Sequence, residues 1–149
     1  MPNSVLSLIV YLVFLGVVLF AIWKGDTPVR LAGCMVAAGA LYNFGIKIVP
    51  GEWQSLVMLT GDFLLAMGLL MLAVRYASLW LGGVLLLQAV QFTLHAWYML
   101  ADRGHDIFHA VVNNLVTIGV LVCLLIGTVT AWRRRIATKA LSQAPSGQA

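Results

Sequence analysis

Charge is what this chain has least of. Asp, Glu, Lys and Arg together make up 9% of its 149 residues, where a water-soluble domain carries about 25%. A solvated surface of ordinary size is therefore excluded, and much of the apolar surface must face lipid. Cysteine is nearly missing as well. Cys34 and Cys123 both lie inside apolar runs with no C-x-x-C spacing, which argues against a disulfide framework and a thiolate metal site. The opening MPNS has no basic residue, and no A-x-A site follows the first apolar run, so that run reads as a retained span rather than a cleavable signal. The sequence also offers no Gly-rich phosphate loop, no paired carboxylates and no nucleophile with an adjacent base, which leaves an enzyme reading without chemistry. The net charge of +4 is no nucleic-acid signal, because the basic residues sit at helix ends and in the tail.

What remains is apolar helix. Hydrophobic residues reach 62%, and mean hydropathy is +0.98. Spans of about 20 apolar residues fall at 4–23, 28–49, 53–74, 77–101 and 106–132. The punctuation between them agrees. Asp26-Thr27-Pro28 is a cap followed by a first-turn proline, Pro50-Gly51 is a turn pair, and Arg103-Gly104 precedes a second cap at Asp106. The expected fold is an all-α membrane protein, one compact bundle of about five transmembrane helices over residues 1–132. Helices 3 and 4, joined almost directly, should be antiparallel neighbours. Residues 133–149 form a basic and then disordered tail.

Orientation follows from the basic residues. With the N-terminus outside and the C-terminus cytoplasmic, Lys24, Arg30, Arg75, Arg133, Arg134, Arg135 and Lys139 fall inside, and only Lys47 and Arg103 outside. All five tryptophans lie near proposed span ends, where the indole prefers the headgroup level. Arg133, Arg134, Arg135 and Lys139 are suited to anionic lipid headgroups, although such clusters ordinarily just set topology. On helix 2, Gly33-x-x-x-Ala37 is a small-residue pair for close helix contact, within the chain or between chains.

Polar residues recur on one face of helix 4: Gln88, Gln91, His95, Tyr98 and Asp102. Helix 5 carries Asp106, His109, Asn113 and Thr117 in a similar stripe, with His105 and Asn114 at its edges. Counted from the outer ends, Asn43, Asp62, Gln91, His95 and Asn113 lie roughly 7–14 Å deep. In hydrocarbon such groups must partner one another. Asn43, Asp62, Gln88, Gln91, His95, His109 and Asn113 are therefore the expected intramembrane cluster. Asp62 is the acid deepest inside a span, with His95, Asn43, Asn113 or Lys47 as candidate partners. It reads either as a proton or cation site, or as a neutral acid whose hydrogen bond fixes helix register.

Two cofactor readings have some residues to stand on. His105 and His109, four apart with Asp102 and Asp106 nearby, have the spacing of a divalent-metal site but lack the Glu of H-E-x-x-H. His95 and His109 could ligate a b-type haem if their imidazoles opposed each other. Neither pattern is specific, and no cofactor is expected.

Three stretches carry a resemblance: AIWKGDTPVRLAG, SLVMLTGDFLLAMGLLMLAVRYASLW, and GVLLLQAVQFTLHAWYML with a last helix ending in WRRR. They resemble a group of small polytopic inner-membrane proteins of alphaproteobacteria to which no activity attaches. The resemblance implies a bacterial inner membrane, and it points to Asp62, Gln88 and His95 as residues that recur in place. Two functions remain open on the sequence. One is a non-enzymatic accessory or assembly subunit that packs against other membrane subunits or itself. The other is a proton-, ion-, haem- or quinone-handling protein built on the polar layer around Asp62 and His95.

Overall fold

Gly25 and Asp26 turn the chain back on itself for the first time, and several distant residues meet there. A Cβ on Gly25 would lie 2.3 Å from the Ala21 carbonyl oxygen and 2.5 Å from Val29, so only glycine fits. The Asp26 carboxylate accepts the Val29 N–H at 3.3 Å and caps the helix that follows. The Gly25 carbonyl accepts from Arg30 Nε at 2.9 Å and from Arg135 Nη2 at 2.7 Å.

The computed structural model describes residues 2–48, 50–101 and 106–143. Among them are five α-helices: α1 (Pro2–Lys24), α2 (Thr27–Gly45), α3 (Gly51–Tyr76), α4 (Leu79–Leu100) and α5 (Ile107–Gln143). A short 3-10 turn, Ile46–Ile48, follows α2. The chain is all-helical, with no strand among the described residues. Three helices (α3, α4 and α5) are long and apolar enough to cross a membrane.

Two expected boundaries differ. α2 stops at Gly45 rather than running to residue 49, because the backbone tightens into the 3-10 turn ahead of Pro50. α5 continues past Trp132 to Gln143, so the first part of the expected tail is helix. The stretch RRRIATKALSQ contains no Gly or Pro, and nothing stops the helix before Pro145. Residues 144–149 lie outside the described residues.

Each helix packs on its neighbours in the chain, and α5 closes the circle on α1 while also touching α2. The antiparallel junction of α3 and α4 is as tight as expected. Ala77 adopts a left-handed conformation (φ 42°, ψ 49°), its N–H bonds the Ala73 carbonyl at 2.8 Å, and Ser78 is extended. α4 and α5 interlock through small residues on α5. Cβ atoms at Gly119 and Gly127 would lie 2.8 Å from Leu87 and 2.7 Å from the Trp80 ring. Gly33 faces α1, where a Cβ on it would lie 3.4 Å from Ala21 and Ile22, so that half of the small-residue pair packs inside the chain.

The two ends of the ring are filled differently. At the end holding the α1–α2 and α3–α4 turns, Val18, Ala21, Val29, Ala32, Leu69, Leu72, Leu81, Val84, Leu124 and Ala131 form one apolar cluster. Thr128 is fully buried there, and its hydroxyl bonds the Leu124 carbonyl at 2.7 Å, so it adds no unsatisfied group. Toward the other end the interior turns polar.

Candidate functional site

Asp62 sits near the middle of α3, immediately after Gly61. A Cβ on Gly61 would lie 2.3 Å from the Tyr42 ring, so the glycine lets α2 bring that ring against α3. Tyr42 is held there by its hydroxyl, which donates to the Val57 carbonyl at 2.8 Å. The Asp62 side chain turns inward, and the residue is 8% exposed. One carboxylate oxygen, Oδ2, bonds His95 Nδ1. The other, Oδ1, accepts from Gln88 Nε2 at 3.4 Å. Gln88 and His95 lie seven residues apart on α4, two turns along the same face, and both are buried. The contact requires one proton between carboxylate and imidazole, whichever of the two carries it.

The network continues onto α5. The buried His109 ring stacks on His95 with centroids 5.1 Å apart and planes 27° from parallel. Tyr98, one turn beyond His95 on α4, meets the His109 ring edge-on at 4.9 Å. Its hydroxyl donates to Asp106 Oδ1, which also accepts the His109 N–H at 2.9 Å and so caps the start of α5. Asp106 is exposed. A line of protonatable groups therefore runs from Asp62 through His95, His109 and Tyr98 to an acid at the start of α5. The second ring nitrogen of His95, Nε2, is buried and meets no hydrogen-bonding partner among the described residues.

Beside this line, Gln91 Nε2 on α4 donates to Asn113 Oδ1 on α5 at 2.9 Å. The Asn113 carbonyl accepts the Thr117 hydroxyl at 2.9 Å. Asn43, Asp62, Gln88, Gln91 and Thr117 form the polar part of the wall of a half-open cavity of about 380 Å³ lined by residues of all five helices. Phe14, Met35, Tyr42, Met58, Leu65 and Leu121 are among its apolar walls.

Six of the seven expected cluster residues thus meet in two connected pieces: Asp62 with Gln88, His95 and His109, and Gln91 with Asn113. Asn43 is the exception. It is exposed at the cavity's edge and makes no hydrogen bond to Asp62, because the Tyr42 ring takes the place on α2 that faces Gly61. Of the candidate partners for Asp62 among the described side chains, His95 is engaged and Asn43 and Asn113 are not. The side chain of Lys47 lies outside the description. Tyr42 and the cavity were not anticipated; the tyrosine beside Asn43 and the glycine before Asp62 were the available signals.

The metal and haem candidates fare differently. Asp102 and His105 lie outside the described residues. Asp106 and His109 are described, and the Asp106 carboxylate is engaged by Tyr98 and the His109 backbone. No group of three His, Cys, Asp or Glu that could hold a metal occurs among the described residues. His95 and His109 stack face on rather than opposing their nitrogens, so no macrocycle fits between them. At the other end Arg133, Arg134, Arg135 and Lys139 are exposed along the extension of α5, and Arg135 also ties that helix to the α1–α2 turn. No family model, curated protein or solved structure matches the chain.

Proposed function

We propose that this chain is a multi-pass protein of the bacterial inner membrane that takes up and releases protons at the Asp62–His95 pair. In this reading α1 and α2 cross the bilayer with the other three helices. The N-terminus is outside and the C-terminus cytoplasmic. Support for five spans comes from α1 and α2 taking part in the ring, and from their outward Leu12, Leu15, Leu19, Leu31, Leu41 and Phe44. The count of basic residues supports the orientation.

One observation carries the function: a buried acid–imidazole pair whose line of protonatable partners reaches an exposed acid at one end. An isolated carboxylate at mid-membrane costs about 2.5–3.5 kcal/mol, and a histidine partner lowers that cost while keeping the proton exchangeable. Imidazole also has two nitrogens, so it receives a proton on one side and releases it on the other. The test is proton flux into vesicles containing the purified protein and an internal pH dye. Asp62→Asn should abolish the flux and His95→Phe should reduce it at least tenfold. Flux unchanged in both variants would remove the reading.

The accessory-subunit reading draws on a different observation. Cys34 and Ala38, four apart on α2, both face outward, which gives a small-residue face for another helix. Disulfide trapping through Cys34 in native membranes would support that reading, and a monomer throughout would count against it.

A further inference from the structure

The cavity has a chemical bias that the proton line does not use. Its lining contains one carboxyl group, Asp62, and no lysine or arginine. An anionic headgroup would find no counter-charge there. Gln88 commits its amide nitrogen to Asp62 and Gln91 commits its own to Asn113. That leaves each amide a carbonyl oxygen as acceptor beside its second N–H, and Asn43 and Thr117 add further uncharged polar groups to the wall. The charge the lining can offer a ligand is thus that of Asp62. The apolar walls include the rings of Phe14 and Tyr42 and the thioethers of Met35 and Met58. Aromatic faces attract cations, and methionine moulds to varied shapes. At about 380 Å³ the space falls in the lower part of the roughly 300–1,000 Å³ common for small-molecule sites.

We propose that this cavity binds a small lipophilic cation, a protonated amine or quaternary ammonium, against Asp62, and that its arrival displaces the proton shared with His95. The proposal rests on the proton-handling reading and names what the proton is exchanged for. Charge balances. With its shared proton the Asp62–His95 pair is neutral; after exchange, Asp62 is a carboxylate beside the bound cation, His95 is neutral, and one proton leaves toward Asp106. The groups that set the pH dependence are Asp62 on α3, His95 on α4, His109 and Asp106 on α5, and Tyr42 on α2, with none on the described part of α1 lining the site. A neutral ligand such as a quinone would not need the proton to leave.

Wild-type protein in nanodiscs, titrated with radiolabelled benzyltrimethylammonium, provides the test. Binding should tighten about tenfold per pH unit while the pair holds its proton, as linkage to one proton requires. About one proton per bound cation should appear in weakly buffered medium. Neopentylbenzene, the uncharged carbon isostere, should not compete. Asp62→Asn should weaken binding at least tenfold. No saturable binding, or equal competition by the isostere, overturns the cation site. Binding that ignores pH and releases no proton overturns the exchange. Because the decisive comparisons use the unaltered protein, a misfolded variant does not obscure them. Proton flux in vesicles without cation binding would leave the proton reading standing and remove this one, whereas binding with neither flux nor proton release would remove the proton reading and the exchange with it, leaving a cation site alone.

Discussion

Asp62 is eleven residues into a 26-residue helix, roughly 16 Å from its start, and each of its oxygens has a different partner. His95→Ala would remove one partner and leave a buried carboxyl with only the long bond to Gln88. Stability should fall by about 1–3 kcal/mol, read from denaturation in detergent, with Asp62→Asn/His95→Ala costing less than the sum of the single changes. Gly61 should be equally demanding. Gly61→Ala would push the Tyr42 ring off α3 and break its bond to Val57, an overpacking cost of about 1–3 kcal/mol. Adding Tyr42→Ala should recover part of it, as a double-mutant cycle would show. Much of this site is legible in the sequence, because depth counting along helices of known rise puts Asp62, His95 and Asn113 at one level. The Gln88 bond and the His95–His109 stack were not, since depth says nothing about which way a side chain rotates about its helix axis. Asn43 was misplaced for that reason: it has the right depth but faces the edge.

At the scale of elements, the joints carry the information. Ala77 holds a left-handed conformation that disfavours residues with a Cβ by about 1–2 kcal/mol. Ala77→Gly should therefore raise stability by about 0.5–1 kcal/mol, seen as a higher melting temperature in detergent. The α4–α5 seam should be much less forgiving. Gly127→Leu would set a side chain into the Trp80 ring, and the helices would separate, with loss of the monodisperse species on gel filtration or a clear fall in melting temperature. Helix existence was readable from apolar run length and caps, and the short α3–α4 connection followed from Arg75-Tyr76. The end of α5 was not readable. Trp132-Arg133 marks where lipid should end, but a helix need not stop at that level when its next residues are good helix formers. Arg135 now has a role beyond headgroups, since its bond to the Gly25 carbonyl joins the last helix to the first turn. Arg135→Ala should speed amide exchange across 133–143 relative to the rest of α5.

For the molecule as a whole, two unlike halves share one ring. Among the described residues, the buried acid and imidazoles (Asp62, His95 and His109) lie outside the apolar cluster at the turn-bearing end, and the Thr128 hydroxyl within that end is engaged. Proton exchange by the static ring is therefore expected from the Asp106 side alone, and dye-loaded vesicles of opposite orientation should respond to an external pH jump with different initial rates. Equal rates in both orientations would contradict this one-sidedness. Composition alone pointed to a membrane bundle, whereas the order of helices around the circle needed contacts that no periodicity encodes.

Closure of α5 on α1 means that α1 is flanked by α2 on one side and by α5 on the other. Without α5, Asp62 would keep His95 and Gln88, but Gln91 would lose Asn113, His95 would lose the His109 ring, and the cavity would lose the wall made by Thr117, Val120 and Leu121. The polar interior is thus a shared property of the closed ring, and prising α5 away would wet the seam before it disturbed the Asp62–His95 pair.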